Sequence, residues 1–272
     1  MVRTKMLSEV PATESSQRPN PVLSEAEGGA RRGELTVRGP ASRGLPSHAD
    51  KAAVVEAMFD RIAPRYDLLN RLLTLRLDQR WRSALMRHAA VGPHDLVVDL
   101  GCGTGDLCVL AASAGARVIG IDFAAGMLAA ARRRGVRAPL VRADAARVPL
   151  PAACASVVTS AFALRNFVSI AQVLSEAARV LRPGGRLALL EVDQPTGALA
   201  RWGHELYFKR IVPLVGALLS DSAAYTYLPR SAVYLPPAPQ LLQSIAAAGF
   251  CDVVKRPLSA GVVQLIVATR RR

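Results

Sequence analysis

The chain has 272 residues, 51% of them hydrophobic and 21% charged, the balance of a globular protein with a buried core and not of a disordered or fibrous chain. Its longest apolar run, Ile211 to Leu219, falls well short of the roughly 20 residues that a membrane-spanning helix needs. The formal net charge is +14, which excludes an acidic, solvating chain and suits a nucleic acid, an anionic membrane surface or an acidic substrate. Arginine occurs nearly everywhere and not in one block, so a general preference for Arg explains the charge equally well. Four cysteines, Cys102, Cys108, Cys154 and Cys251, lie apart with no C-x-x-C pair. Neither a zinc site nor a disulfide framework is expected, and a reducing, cytoplasmic compartment is the default.

Residues 1–47 are rich in Ser, Pro, Gly, Glu and Arg and show no apolar periodicity. Such a segment buries too little to offset its ordering entropy, and it reads as a disordered tail or an overextended gene start. No 7–15-residue apolar stretch follows Arg3 and Lys5, so a secretory leader is not expected. The tail carries seven basic and five acidic residues, which leaves +12 on the remainder. The basicity therefore belongs to the folded domain expected over 48–272.

From His48 to Ala90 the pattern turns helical. Val54, Val55, Met58, Phe59 and Ile62 recur at three- and four-residue spacing, and Leu68, Leu69, Leu72 and Leu73 repeat it beyond Pro64, which predicts two or three helices before the first strand. Leu96–Leu100, Arg117–Ile121, Pro139–Arg142, Ser156–Ser160 and Arg186–Val192 then read as short buried strands. Ala-rich helices fill the gaps at Ala124–Arg134 and Ile170–Leu181. The turn Arg182-Pro183-Gly184-Gly185 is expected to end the second of these, with glycine as the cap and proline stopping propagation. Phe250–Arg256 and Val262–Thr269 read as two strands that can pair around Pro257–Gly261. This alternation predicts an α/β, doubly wound sheet.

The chemistry begins where the first strand ends, in Asp99-Leu100-Gly101-Cys102-Gly103-Thr104-Gly105-Asp106. Glycines let the backbone turn sharply and let a ligand approach it, and the strand ends of an open sheet are where cofactors bind. Asp122 closes the next strand, placed to accept hydrogen bonds from ribose hydroxyls. A dinucleotide fingerprint wants glycine at position 106, where this chain has Asp106. With Asp99 it would set two negative charges beside a pyrophosphate. S-adenosylmethionine suits these acids better, because it offers ribose, an ammonium and a sulfonium but no phosphate.

At this point the chain resembles class I methyltransferases and, more closely, the ubiquinone/menaquinone biosynthesis C-methyltransferase family. The resemblance rests on the stretch Phe59 to Asn70 (Phe-Asp-Arg-Ile-Ala-Pro-Arg-Tyr-Asp-Leu-Leu-Asn), on Arg80-Trp81-Arg82 and on Asp99 to Gly105 with Gly120-Ile121-Asp122-Phe123. Phe162-Ala163-Leu164-Arg165-Asn166, Leu181 to Gly185, and Tyr225-Thr226-Tyr227-Leu228-Pro229 extend it over residues 50 to 270. It implies a mostly parallel seven-stranded Rossmann-like sheet with an antiparallel last strand, N-terminal helices and a helical lid insertion. It also implies Thr104, Asp122, Asp144 and Ala145 as cofactor contacts. Asp99, Gly101, Gly103, Gly105, Phe123 and Met127 complete the expected cofactor set, with Tyr66 over the amino-acid end of S-adenosylmethionine. Arg165 and Asn166 are the expected catalytic pair. The chain departs from the family pattern at Arg76-Leu77-Asp78, where Gly-x-His is usual, and at Ala161, Ala163 and Ile266.

The reaction that the resemblance implies is methylation of a ring carbon of a prenylated hydroquinone in menaquinone or ubiquinone biosynthesis. An ionised phenol, ordinarily of pKa roughly 10, pushes electron density onto its ortho carbon. Arg165 cannot serve as a free base, since a guanidinium keeps its proton near neutral pH. Its expected role is to stabilise an oxyanion or to orient a water or carboxylate that takes the proton. Six of the 13 aromatic residues lie within 202–234 and suit a wall for a flat quinone ring, with Ile211–Leu219 for an isoprenoid tail. His204 is a second candidate base. Other readings stay open: a methyltransferase of another aromatic or lipid metabolite, or a non-catalytic protein that binds S-adenosylmethionine. Nucleic acid is not expected as a substrate, for lack of an Asn/Asp-Pro-Pro-Tyr tetrad after the fourth strand. Peripheral contact with the inner face of the plasma membrane and a homodimer are both compatible with the sequence.

Overall fold

The structure is a computed structural model that describes residues 51–193, 197 and 231–272. The expected tail over 1–47, the expected lid, the aromatic positions before Tyr234 and His204 lie outside the described residues. Three helices precede the first strand: α1 (Lys51–Ile62), α2 (Tyr66–Leu73) and α3 (Leu77–His88). The chain then alternates through β1 (Leu96–Leu100), α4 (Asp106–Ser113), β2 (Arg117–Asp122), α5 (Ala125–Arg133), β3 (Leu140–Arg142) and β4 (Ala155–Ala161). A 3-10 turn at Leu164–Asn166, α6 (Ile170–Val180) and β5 (Leu181–Val192) follow. The last described stretch holds a 3-10 turn at Ser231–Tyr234, then α7 (Ala238–Ala247), β6 (Phe250–Leu258) and β7 (Val263–Arg270).

The seven strands form one sheet in the order β3-β2-β1-β4-β5-β7-β6. All neighbours are parallel except β7, which runs antiparallel to both β5 and β6. This is the expected Rossmann-like sheet with an antiparallel last strand. Successive residues of the central strands bury on opposite faces, as a two-residue period requires. Val98, Val158 and Leu189 join a core built with Val173, Leu174 and Ala177 of α6 and Leu241 and Ile245 of α7. Val97, Val157 and Ala188 join a second core with Leu85 of α3 and Leu107, Cys108 and Ala111 of α4. Both faces are therefore covered, which is what doubly wound means physically. A third cluster joins Val55, Met58 and Ile62 of α1 to Met127 and Ala130 of α5, so α1 lies on the cofactor side of the fold.

The expected end of α6 needs correction. Its C-cap is Leu181 in extended conformation, φ −70° and ψ 136°, not a glycine. β5 starts at Leu181, paired with Ala155, and the register then jumps to Val157 opposite Arg186. Arg182 to Gly185 are thus the extra residues of an irregularity in the β4–β5 pairing, and the positive φ of Gly184, 75°, serves that irregularity. Proline still prevents the helix from continuing, because it disfavours helical geometry at the residue before it.

Gly120 in β2 shows how tightly the α4 face is filled. A Cβ there would sit 2.8 Å from Leu140 Cδ2, 2.9 Å from Cys102 Sγ and 3.0 Å from Cys108 Sγ. Gly120→Ala is expected to lower stability by about 1–3 kcal/mol through overpacking, read as a lower urea midpoint with an unchanged slope.

Candidate active site

In this strand order the chain reverses direction of growth between β1 and β4, and at such a switch point the loops leaving adjacent strands part and open a crevice. The glycine loop leaves β1 and runs toward α4. Phe162 to Asn166 leave β4 and run the other way. The two exits touch at one place. Gly101 has φ +69°, and a Cβ on it would lie 2.6 Å from Ala163 Cβ. Only a bare backbone fits there. The Gly101 and Cys102 N–H groups donate to Ile121 O at 2.8 and 2.9 Å, folding the loop over the end of β2. At Gly103 nothing lies within 4 Å of where a Cβ would be, so its backbone is open to the crevice.

The crevice is a cavity open to solvent, lined from both strand exits. It gathers Tyr66, Gly101, Gly103, Asp122, Phe123, Met127, Asp144, Ala145 and Asn166, nine of the residues singled out from the sequence. Asp122 is fixed by the chain around it: Oδ2 accepts the Gly103 N–H at 2.7 Å and Oδ1 accepts the Ala124 N–H at 2.9 Å. A carboxylate has about four acceptor sites, so capacity remains to accept from a ligand hydroxyl. Burial pushes its pKa up, outweighing the backbone N–H groups of Ala124, Gly103 and Phe123. Asp144 Oδ1 caps the following turn by accepting from the Ala146 N–H at 2.9 Å.

A smaller recess shares Tyr66, Gly101, Gly103 and Ala161 with the cavity and adds Asp99, Thr104, Arg82 and Asp106. Asp99 is 1% exposed. Burial drives its pKa to about 7 even though the Thr159 hydroxyl donates to it at 2.8 Å. Thr104 turns its hydroxyl to Asp67 at 2.6 Å, which ties α2 to the glycine loop. Asp106 behaves in the opposite way to Asp99. Burial pushes its carboxyl up, but Arg82 and Arg134 outweigh that and hold it below the usual value. Arg134 bonds Asp106 and Asp67, both at 2.9 Å, and Arg82 lies 3.4 Å from Asp78 and 3.5 Å from Asp106. Arg82 and Arg134 thus offset two of the three negative charges at positions 67, 78 and 106, and Gly105, with φ 85°, stands directly before α4 as its N-cap.

Arg165 is placed differently from Asn166. Its guanidinium pairs with Glu191 and its Nε donates to Ser231 Oγ at 3.2 Å. Glu191 Oε2 also accepts the Arg165 backbone N–H at 3.4 Å. The described lining of the cavity includes Asn166 but neither Arg165 nor Glu191. The Asn166 amide donates to Phe162 O at a long 3.4 Å.

Three groups of site residues were not singled out from the sequence. Ala52, Val55 and Phe59 bring α1 over the cavity. Their helical spacing shows an apolar face without showing what it faces. Phe162, Phe167 and Val168 supply the wall after β4. Arg82 and Glu191 are the others, and each carried a signal. Arg82 sits in the quoted Arg-Trp-Arg, and Glu191 is a lone acid in an apolar strand.

Two expectations follow. Gly101→Ala combines a forbidden contact with a left-handed φ, so it is expected to displace Phe162–Asn166 and abolish cofactor binding, measurable by titration calorimetry. For Asp99, a folded pKa of about 7 exceeds the ordinary 3.8. Its contribution to stability is then fully present below pH 3.8 and lost as pH rises through 7. Asp99→Asn is expected to remove this loss, so wild-type stability should fall relative to the variant between pH 4 and 7 in denaturant titrations.

Comparison with known proteins agrees with the geometry. The profile of the ubiE/COQ5 methyltransferase family matches residues 47–270. A ubiquinone/menaquinone biosynthesis C-methyltransferase of Syntrophotalea carbinolica is 40% identical over 219 residues, 78% of this chain and 92% of that protein. A demethylmenaquinone methyltransferase of Thermus thermophilus is 42% identical over 220 residues, 78% of this chain and all of that protein. Among solved structures, a SAM-dependent methyltransferase of Thermotoga maritima is 19% identical, covers 79% of this chain and 99% of its own, and has a TM-score of 0.56, a likeness of fold. The chain belongs to the ubiE/COQ5 methyltransferase family.

Proposed function

We propose that the chain methylates a ring carbon of a prenylated hydroquinone, with demethylmenaquinol as the first acceptor to test and S-adenosylmethionine as the donor. The observation that carries this reading is that Gly101, Gly103 and Asp122 line one cavity together with Asn166, Phe162 and Phe167. The names of the relatives point to the same acceptor. The residues present fit the donor. Asp122 has capacity left to accept from a ribose hydroxyl, and Asp144 and Ala145 with Phe123 and Met127 suit a flat adenine. The open backbone at Gly103 lets the ligand approach. In the smaller recess Asp99 suits the ammonium of the amino-acid end.

Bound there, S-adenosylmethionine supplies an electrophilic methyl on a sulfonium. The protein's share is to hold the acceptor carbon in line and to favour the phenolate that makes it nucleophilic. Asn166 has an amide that can donate to the acceptor oxygen as negative charge grows on it. Arg165 acts one step back: its pair with Glu191 clamps the 3-10 turn and so aims Asn166. The phenol proton passes to solvent water before methylation, and the ring C–H proton passes to solvent as aromaticity returns. Apolar walls keep water from the reacting methyl. A homodimer and contact with the membrane's inner face remain part of the proposal, and no described helix is long and apolar enough to cross a membrane.

The test offers radiolabelled S-adenosylmethionine with demethylmenaquinol, a demethylated ubiquinol precursor and total RNA in parallel. Label on a quinol is expected. Bound cofactor with label on none of the three would overturn the assignment. Asn166→Ala is expected to lower kcat by about 10²-fold while cofactor affinity stays within about twofold. Arg165→Ala strands a buried Glu191, so it is expected to cost about 3–5 kcal/mol of stability as well as turnover, read by thermal unfolding beside the assay.

A further inference from the structure

The outer face of α2 takes no part in the site. Leu68 and Leu72, four residues apart, share one side of α2, and Leu75 follows in the turn beyond its end. They are 53%, 50% and 80% exposed. Single exposed leucines are ordinary, but three within eight residues of chain give an apolar ridge. The same helix turns its other side inward: Tyr66 lines the cavity, and Asp67 is held by the Thr104 hydroxyl and by Arg134.

Charge beside the ridge has one sign. Arg76 and Arg80 are exposed and Arg71 is half-buried, whereas the nearby acids Asp67 and Asp78 are committed to Arg134 and Arg82. Leu75 and Arg76 also hold left-handed φ values of 50° and 63°, a conformation that residues with a Cβ rarely adopt. At position 76 glycine would be free of that strain, and this chain keeps an arginine there next to its most exposed leucine. A second copy of the chain fits this face poorly, because a two-fold contact would set these arginines against one another.

We infer that the α2 ridge docks on an anionic lipid bilayer, with Leu68, Leu72 and Leu75 entering the headgroup–acyl boundary and Arg71, Arg76 and Arg80 pairing with lipid phosphates. Apolar burial and attraction to anionic lipid then act together, as on other interfacial helices. The inference rests on the proposed function for its purpose: a prenylated acceptor dissolves in the bilayer, and α2 carries the cavity residue Tyr66 on its other side.

The test sediments the full-length protein with vesicles of phosphatidylglycerol and phosphatidylcholine, and with phosphatidylcholine alone. Binding to the anionic vesicles that weakens with salt is expected, with little binding to the neutral ones. The double variant Leu72→Glu/Leu75→Glu is expected to lower binding at least about tenfold, and Arg76→Gly, which relieves strain while removing one charge, about fivefold. No binding by the wild type, or unchanged binding by both variants, would overturn the inference. A wild-type dimer that the double variant converts to monomer would overturn it too, since the ridge would then join two copies. Methyl transfer to a water-soluble short-chain quinol separates the two readings. Both variants are expected to retain it if docking alone is lost, whereas a wrong acceptor assignment removes it from every preparation while vesicle binding persists.

Discussion

The whole site depends on how closely two strand exits can approach. Gly101 after β1 and Ala163 after β4 meet where one added methyl would stand 2.6 Å from its neighbour. Beyond that contact the two segments must part, because one feeds α4 and the other the 3-10 turn. The parting opens the crevice, and the bare backbone of the glycine loop becomes its floor. Asp122 fixes the floor's shape, since it binds the Gly103 N–H on one oxygen and the start of α5 on the other. α1 then covers the crevice with Val55 and Phe59, so the cavity has a sheet-derived floor and a helical roof.

Three buried aspartates show how neighbours decide a charge. Asp99 meets a hydroxyl and a thiol, with Arg82 acting only through its field and not as a bonded partner, and burial prevails, driving its pKa to about 7. Asp122 meets backbone N–H groups, which soften the rise without cancelling it. Asp106 meets two guanidinium groups and falls below the usual value. A full positive charge at contact distance outweighs burial, whereas neutral donors do not. Some of the arginines have such internal work. Arg82, Arg134, Arg165 and Arg186 each serve a carboxylate inside the fold. The net charge of +14 therefore describes no single binding surface, and the arginines available to a partner are those left outside.

Strands and their order of appearance were legible because short Val/Leu/Ile runs between glycine-bearing turns have few other uses. The acids ending β1 and β2 were legible for the same reason, as charges at the end of apolar runs. What stayed hidden depends on register and on contacts distant in sequence. Arg182 to Gly185 look like a helix stop, and only the shift between Ala155 and Val157 shows them to be an irregularity within β5. Thr104 reads as a ligand contact, but its hydroxyl meets Asp67, 37 residues away. The pairing of Arg165 with Glu191 spans 26 residues and follows from β4 lying beside β5, a fact that composition and spacing do not contain.

That pairing also bears on how an arginine can matter to a methyl transfer without touching the reacting atoms. A guanidinium does not give up its proton near neutrality. Held against Glu191, it presents a nearly cancelled charge, so its long-range field at the acceptor is weak. Its geometric effect is strong. Glu191 holds both the backbone N–H and the side chain of Arg165, and Ser231, at the far side of the segment between β5 and α7, accepts its Nε. The turn that carries Asn166 is thereby locked to the end of β5. In this reading Arg165 and Glu191 spend the energy of a buried ion pair on orientation, and the neighbouring amide is the group that meets the acceptor.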